Sequence, residues 1–185
     1  MFIATMFSYG SDTDAVGVDG IQTCIGLFLD TGARFYAIHI PFQPQHYVTA
    51  RNAFVAYVNL TEPNFDRAAA RLYAVINGTY RNEVYREVLD YGLALGGVRR
   101  FKIVRVSGLM TDSAAIILER IPFNNERRLK YLRAGSVRWQ HGVGTVRSGF
   151  YHNGSMQDVL SVDTNLSHGW RVVDDSNASI TTTNW

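Results

Sequence analysis

The sequence has a single cysteine in 185 residues, Cys24, and this scarcity excludes one class of protein. One thiol cannot form an internal disulfide, so the chain is not one of the disulfide-stapled frameworks common among small secreted proteins. The thiol is then inert filler, an intermolecular link or a reactive group.

Long apolar runs are also missing, since none reaches the roughly 20 residues that a membrane helix needs. The first residues, MFIATMFSYGSDTD, lack a basic leader, so we expect a soluble protein without a cleaved signal peptide. Its location stays open between the cytoplasm and export by another route. The net charge of +2 is too small to imply a polyanionic partner, and we expect no nucleic-acid partner.

The length and the hydrophobic content of 46% favour one globular domain over residues 1–185. A polar stretch at about 174–185 is predicted to be a loosely ordered tail. Alternating or β-branched segments predict strands, with a Gly, Ser and Asp rich loop at 8–20. The predicted strands are 2–7, 21–30, 33–40, 98–106 and 114–122, with further strands in 137–173.

Helical periodicity predicts two central helices. One covers 65–76, with Asn64 as N-cap and Gly78 after its end, and the other runs from 84 to 95 until Gly96 and Gly97 stop it. A basic third helix is predicted at 125–134. The resulting fold class is α+β, with mixed, largely antiparallel sheets.

The segment TCIGLFLDTGARFYAIHI predicts a hairpin that turns at Thr31 and Gly32. Opposed residues then have numbers that sum to 63, which makes Cys24 and His39 direct cross-strand partners. A loop of three or five residues would send the two side chains to opposite faces. In the predicted register Gly26 opposes Ala37 beside the pair, which would leave a shallow cleft open to solvent.

A thiol beside an imidazole is a recognised nucleophile and base pair. The imidazole takes the thiol proton, and the thiolate attacks a carbonyl carbon. Cys24 and His39 are therefore the candidate catalytic residues, with sulfur and nitrogen expected within about 4 Å of each other. Such a preformed pair predicts alkylation of Cys24 by iodoacetamide at about pH 6 to 7.

The motifs around these two residues, TCIGLFLD and YAIHIPF, resemble the papain-like cysteine deamidases, which include CheD and the catalytic domain of cytotoxic necrotizing factor toxins. The likeness spans about residues 16–120. It implies a deamidase fold of that type and conversion of glutamine to glutamate on a target protein with an exposed glutamine. It also suggests a bacterial toxin or effector, and it implies no cofactor.

Three positions depart from the family pattern. Gln22 and Thr23 precede the cysteine where the family has Gly and Ser, and Val18 stands where CheD has a threonine. The group that orients His39 is therefore left open between a main-chain carbonyl and the side chains of Asp19, Ser8 or Thr23.

Other functions stay open. A peptidase, an acyltransferase or a transglutaminase would use the same thiol chemistry. The basic run 127–138 could instead form the surface of a non-enzymatic binding module. The remaining histidines lack the spacing of metal ligands, so we predict no metal site.

Overall fold

The computed structural model describes residues 1–77, 82–106, 114–133, 141–162, 171–172 and 178–183. Within these ranges the chain forms thirteen strands and two helices. The strands are β1 Phe2–Ala4, β2 Ser8–Asp12, β3 Ala15–Ile21, β4 Ile25–Asp30, β5 Phe35–Ile40, β6 Arg71–Asn77, β7 Arg100–Val106, β8 Ala114–Arg120, β9 Arg127–Arg133, β10 His141–Phe150, β11 Ser155–Val162, β12 Arg171–Val172 and β13 Ala178–Thr183. The helices are α1 Pro44–Thr61 and α2 Asn82–Ala94.

The strands form two sheets. The larger has the order β11-β10-β2-β5-β4-β6-β7-β13, and the smaller has the order β1-β3-β8-β9-β12. Among the strand pairs of the described ranges, β1 with β3 and β6 with β7 are parallel and the others are antiparallel. The predicted α+β class, with two helices and mixed sheets, is confirmed.

The larger sheet lies between two apolar cores. Side chains of one face, such as Leu27 and Ile38, pack with residues of α1 and α2. Side chains of the other face, such as Phe28 and Ala37, pack against the smaller sheet. Arg127 of β9 also bridges the sheets, because its guanidinium donates to both carboxylate oxygens of Asp30 on β4. Strands β4 and β5 therefore have no solvent-facing side.

Several predicted elements are confirmed with bounds that differ by a few residues. The hairpin of β4 and β5 forms, α2 ends at Ala94 before the two glycines, and β7 and β8 occupy the predicted segments. The prolines of PFQPQ do end β5, but Pro44 also starts α1 in the first helical turn. Proline is well suited there because its missing N–H would have no partner within the helix.

The predicted helix at 65–76 is wrong, because Arg71–Asn77 forms β6 at the centre of the larger sheet. Leu72 and Ala74 pack toward the helices, whereas Tyr73 and Val75 pack toward the smaller sheet. A strand buried on both faces is apolar throughout, so its sequence does not alternate.

The predicted helix at 125–134 is also wrong, since Arg127–Arg133 forms β9, paired with β8. Cross-strand partners explain this outcome. Arg128 and Lys130 form ion pairs with Glu119 of β8, whereas Leu129 and Tyr131, which alternate with them, pack into the core between the sheets.

The predicted loop at 8–20 is wrong too, because it contains β2 and β3. Two of its glycines, Gly10 and Gly17, are required by close packing. A β-carbon at Gly10 would lie 2.8 Å from the Phe2 ring, and one at Gly17 would lie 2.4 Å from Ile3 Cδ1. In the segment predicted as a tail, Ala178–Thr183 forms β13 at the edge of the larger sheet, paired with β7.

Candidate functional site

The hairpin turn is centred one residue later than the sequence predicts. The backbone N–H of Thr31 donates to the carbonyl of Arg34, which leaves Gly32 and Ala33 at the tip. Gly32 has a φ of 91°, which a glycine in a tight hairpin turn adopts without strain. Opposed residues in the ladder therefore have numbers that sum to 65.

This register separates the predicted pair by two positions. His39 lies opposite Gly26, and Cys24 lies in the bend just before β4. The prediction that Cys24 and His39 are direct cross-strand partners is wrong. Neither imidazole nitrogen of His39 has a hydrogen-bond partner among the described residues, so the thiol of Cys24 is not bonded to it. The register differs from the predicted one by two residues. Because side chains alternate with a period of two, Cys24 and His39 still stand at positions that belong to the same face of the sheet.

His39 is almost fully buried, with 1% of its surface exposed. Burial lowers the pKa of its imidazole to about 4, and the charge of Asp19 acts in the opposite direction. The side chain is thus neutral at physiological pH. Most buried imidazoles in folded proteins are hydrogen-bonded, and a neutral imidazole nitrogen can act as a base.

A break in β3 lies over this imidazole. The pairing of β3 with β8 shifts between Val18 and Ile21, which leaves Asp19 and Gly20 as a bulge. Gly20 has a φ of 74°, and a β-carbon there would lie 3.8 Å from His39 Cε1. The Asp19 carboxylate accepts the Gly20 N–H at 2.7 Å. Of the three side chains considered for orienting His39, Asp19 is the one whose charge acts on the imidazole.

Cys24 is surrounded by donors as well as by apolar atoms. Burial raises the pKa of its thiol, while hydrogen bonds from the Phe42 backbone and from the side chain and backbone of Thr23 lower it. The net direction is upward. The resting thiol is therefore neutral, which reverses the expectation of a preformed thiolate, but the donors are placed to hold negative charge on sulfur.

Tyr151 bonds the backbone of His39 and was not found from the sequence. Its hydroxyl donates to the carbonyl oxygen of His39 at 2.8 Å, and the charge of Cys24 is among the causes that raise its pKa, after burial. Its ring packs on Phe7, which also contacts His46 and His152. Tyr151 lies more than a hundred residues from His39 in sequence, so no local motif could reveal it.

The predicted cleft beside the pair is filled. A β-carbon at Gly26 would lie 2.6 Å from Ile21 Cδ1, and Ala37 is completely buried. The predicted opening at Gly26 and Ala37 is therefore wrong, because the smaller sheet covers it. The 7% exposure of Cys24 and the exposed side chains of Gln22 and Thr23 place solvent at the bend instead.

The basic run predicted as a binding surface is largely paired where the structure describes it. Arg127 bonds Asp30, and Arg128 and Lys130 share Glu119. Its residues 134–138 lie outside the described ranges. No group of three or more potential metal ligands occurs among the described residues, and no helix in that part of the chain is long and apolar enough to cross a membrane.

No protein-family model matches the chain, and no curated protein matches it significantly. The likeness to the cysteine deamidases therefore depends on the two short motifs around Cys24 and His39.

Proposed function

We propose that the protein is a thiol-dependent amidohydrolase that deamidates glutamine on a target protein, with Cys24 as nucleophile and His39 as base. One observation carries the proposal. Hydrogen bonds from Thr23 and from the Phe42 backbone lower the pKa of the Cys24 thiol against the effect of burial, and the next strand holds an imidazole whose two nitrogens have no hydrogen-bond partner among the described residues. A cysteine that only filled space would need no donors, and a structural histidine would be hydrogen-bonded.

The resting groups are both neutral, so proton transfer accompanies attack instead of preceding it. The thiol proton moves to an imidazole nitrogen of His39 as sulfur bonds the amide carbon of glutamine. The imidazolium then gives this proton to the departing nitrogen, and ammonia leaves a thioester. Water attacks the thioester with His39 as base, which yields glutamate and restores the thiol.

This reaction requires the thiol of Cys24 to reach His39, and in the resting structure the two side chains are not hydrogen-bonded to each other. The bend at residues 22–24 has exposed side chains at Gln22 and Thr23, so it is the segment that we expect to move when a target binds. Catalytic hydrogen bonds are often formed only once substrate is present. Asp19 would stabilise the imidazolium as it forms, since its charge raises the pKa of His39.

The test uses the full chain with a diazoketone analogue of glutamine, which alkylates a cysteine nucleophile that recognises this side chain. Intact-mass analysis should show one adduct on Cys24, and the adduct should be lost in Cys24→Ser and strongly slowed in His39→Gln. The control is Cys24 alkylation by iodoacetamide, which needs no glutamine recognition.

A second measurement follows the reaction itself. Folded candidate targets are incubated with the protein, and the products are analysed for ammonia and for glutamate in place of glutamine. Peptide cleavage would indicate a peptidase, and transfer of an added primary amine would indicate an acyltransferase or transglutaminase. A protein with neither a Cys24 adduct nor Cys24-dependent chemistry on any target would contradict the proposal.

A further inference from the structure

A polar cavity of about 310 Å³ lies at the other end of the larger sheet from Cys24. It opens where β2 and β10 separate, because their ladder ends at Ser148 opposite Gly10. The polar side chains that line it are those of Ser11, Asp12, Thr13, Arg34, Tyr57 and Arg147. Arg34 precedes β5 and His39 lies five residues further on, so about 17 Å separates the two sites at the usual rise of a strand.

The guanidinium of Arg34 supplies a charge that no carboxylate in the described part of the chain neutralises by an ion pair. Its Nη1 donates to Ser11 Oγ at 3.3 Å, and Ser11 Oγ shares a hydrogen bond with the Tyr57 hydroxyl at 2.9 Å. Ser11 is 8% exposed, so these groups are held within the wall of the cavity. A cation surrounded by hydroxyls is suited to receive an anion.

The second guanidinium, that of Arg147, is paired with Asp158 at 3.1 Å. Their side chains are 54% and 61% exposed, and such surface pairs contribute little to stability. Arg147 can therefore exchange Asp158 for a ligand at small cost.

Among the described lining residues the carboxylate is that of Asp12, which already pairs with the Met1 ammonium at 3.6 Å and accepts the Asp14 N–H at 3.0 Å. It limits the negative charge that the cavity tolerates. It could also accept a hydrogen bond from a hydroxyl of a ligand.

We infer that this cavity binds the phosphate group of a small phosphomonoester. Two guanidiniums, the Thr13 hydroxyl and whichever of the Ser11 and Tyr57 hydroxyls does not donate to the other offer several donors, which suits a group with three acceptor oxygens better than a planar carboxylate. The volume exceeds that of bare phosphate and falls at the lower end of small-molecule sites. The ligand therefore has a compact, hydroxylated body beyond its phosphate.

In the experiment, the full chain is titrated at low salt with glycerol phosphate, inorganic phosphate or acetate, and binding is measured by isothermal titration calorimetry. Glycerol phosphate should bind with a stoichiometry of one and more tightly than inorganic phosphate, and acetate should bind more weakly than both. The Arg34→Gln variant should lose at least about tenfold in affinity, as expected for one charge-assisted contact.

The matched control is Arg86→Gln, which removes the same charge from an exposed position on α2 and should bind as the wild type does. Tyr57→Phe removes one hydroxyl and should weaken binding even if Arg34→Gln fails to fold. Equal losses in Arg34→Gln and Arg86→Gln, no saturable binding up to about 10 mM, or acetate binding as tightly as phosphate would overturn the inference. Cys24→Ser should bind normally, so the result is independent of the proposed catalysis.

Discussion

At the scale of single residues, the chemistry depends on how burial treats a thiol and an imidazole. Burial disfavours the charged form of both groups, so it raises the pKa of Cys24 and lowers that of His39. The two shifts oppose formation of an ion pair in the resting protein. The donors at Cys24 and the charge of Asp19 act against burial, and they are the groups that favour the charged state during reaction.

We expect iodoacetamide to alkylate Cys24 slowly at neutral pH, with a midpoint in its pH profile above that of a free thiol such as N-acetylcysteine. The cause is the raised pKa of the buried thiol. Thr23→Val removes the hydroxyl donor at nearly constant shape and should move the midpoint higher, whereas His39→Ala should leave it unchanged. Fast alkylation at pH 7 that His39→Ala slows would instead indicate a preformed pair.

Asp19→Asn should lower the pKa of His39 below its value of about 4, because it removes the charge that opposes burial. Asparagine can still accept the Gly20 N–H, so the bulge should persist. The measurement is an NMR titration of the His39 ring protons, with exposed Asp14→Asn as control. In the pH profile of deamidase activity, the loss of activity at acidic pH should occur at a lower pH in this variant. The maximal rate should be lower as well. An unchanged ring titration would remove Asp19 as the positioning residue.

At the scale of secondary-structure elements, the predictions were correct where the sequence pattern within the element determines its structure. They were wrong where packing against neighbouring elements determines it. The hairpin, α2, β7 and β8 carry alternation or helical spacing with clear stops. Strand β6 was predicted as a helix because its alternation is lost when both faces are buried. The register of the hairpin depended on which residue adopts a positive φ, and Gly32 does so as the first residue of the turn instead of the second. That single step moved every cross-strand partner by two.

The packing of α2 gives a prediction at this scale. A β-carbon at Gly92 would lie 2.3 Å from the carbonyl oxygen of Val98, which belongs to the backbone and cannot rotate away. Gly92→Ala should therefore lower the free energy of unfolding by about 1–3 kcal/mol. The sign of this change distinguishes the two cases, because replacing glycine with alanine in a helix without such a contact would raise the free energy of unfolding by about 1 kcal/mol.

The control for this experiment is Leu93→Ala on the same helix, whose side chain is 73% exposed. It should change the free energy of unfolding by no more than about 0.5 kcal/mol in urea denaturation. A stabilised Gly92→Ala protein would mean that α2 does not approach Val98 so closely.

At the scale of the whole molecule, the candidate residues come from both sheets. His39 lies on β5 of the larger sheet, Cys24 lies in the bend before β4, Asp19 lies on β3 of the smaller sheet, and Tyr151 follows β10. The two motifs could be read from sequence because both belong to one hairpin. The contribution of Asp19 required the packing of two sheets, and that of Tyr151 required a contact across 112 residues of sequence.

Because His39 is buried in this packing, its titration is coupled to folding. Its folded pKa of about 4 lies below the ordinary value of 6.5, so between these values the unfolded chain binds a proton and the folded chain does not. Stability attributable to His39 is complete above about pH 6.5 and falls as the pH decreases, by about 3 kcal/mol at pH 4.

Urea denaturation of wild type and His39→Leu at several pH values measures this coupling. The wild type should lose more free energy of unfolding than the variant between pH 7 and pH 4, by about 3 kcal/mol. Burial raises the pKa of Glu87, so this residue changes stability with pH in the opposite direction to His39. Its contribution is the same in both proteins and cancels when the wild type is compared with the variant. Cys24→Ser should keep the wild-type slope. If the free energy of unfolding changes equally with pH in the wild type and in His39→Leu, the imidazole has the same pKa in the folded and unfolded chain. The buried neutral base that the proposed mechanism requires would then not exist.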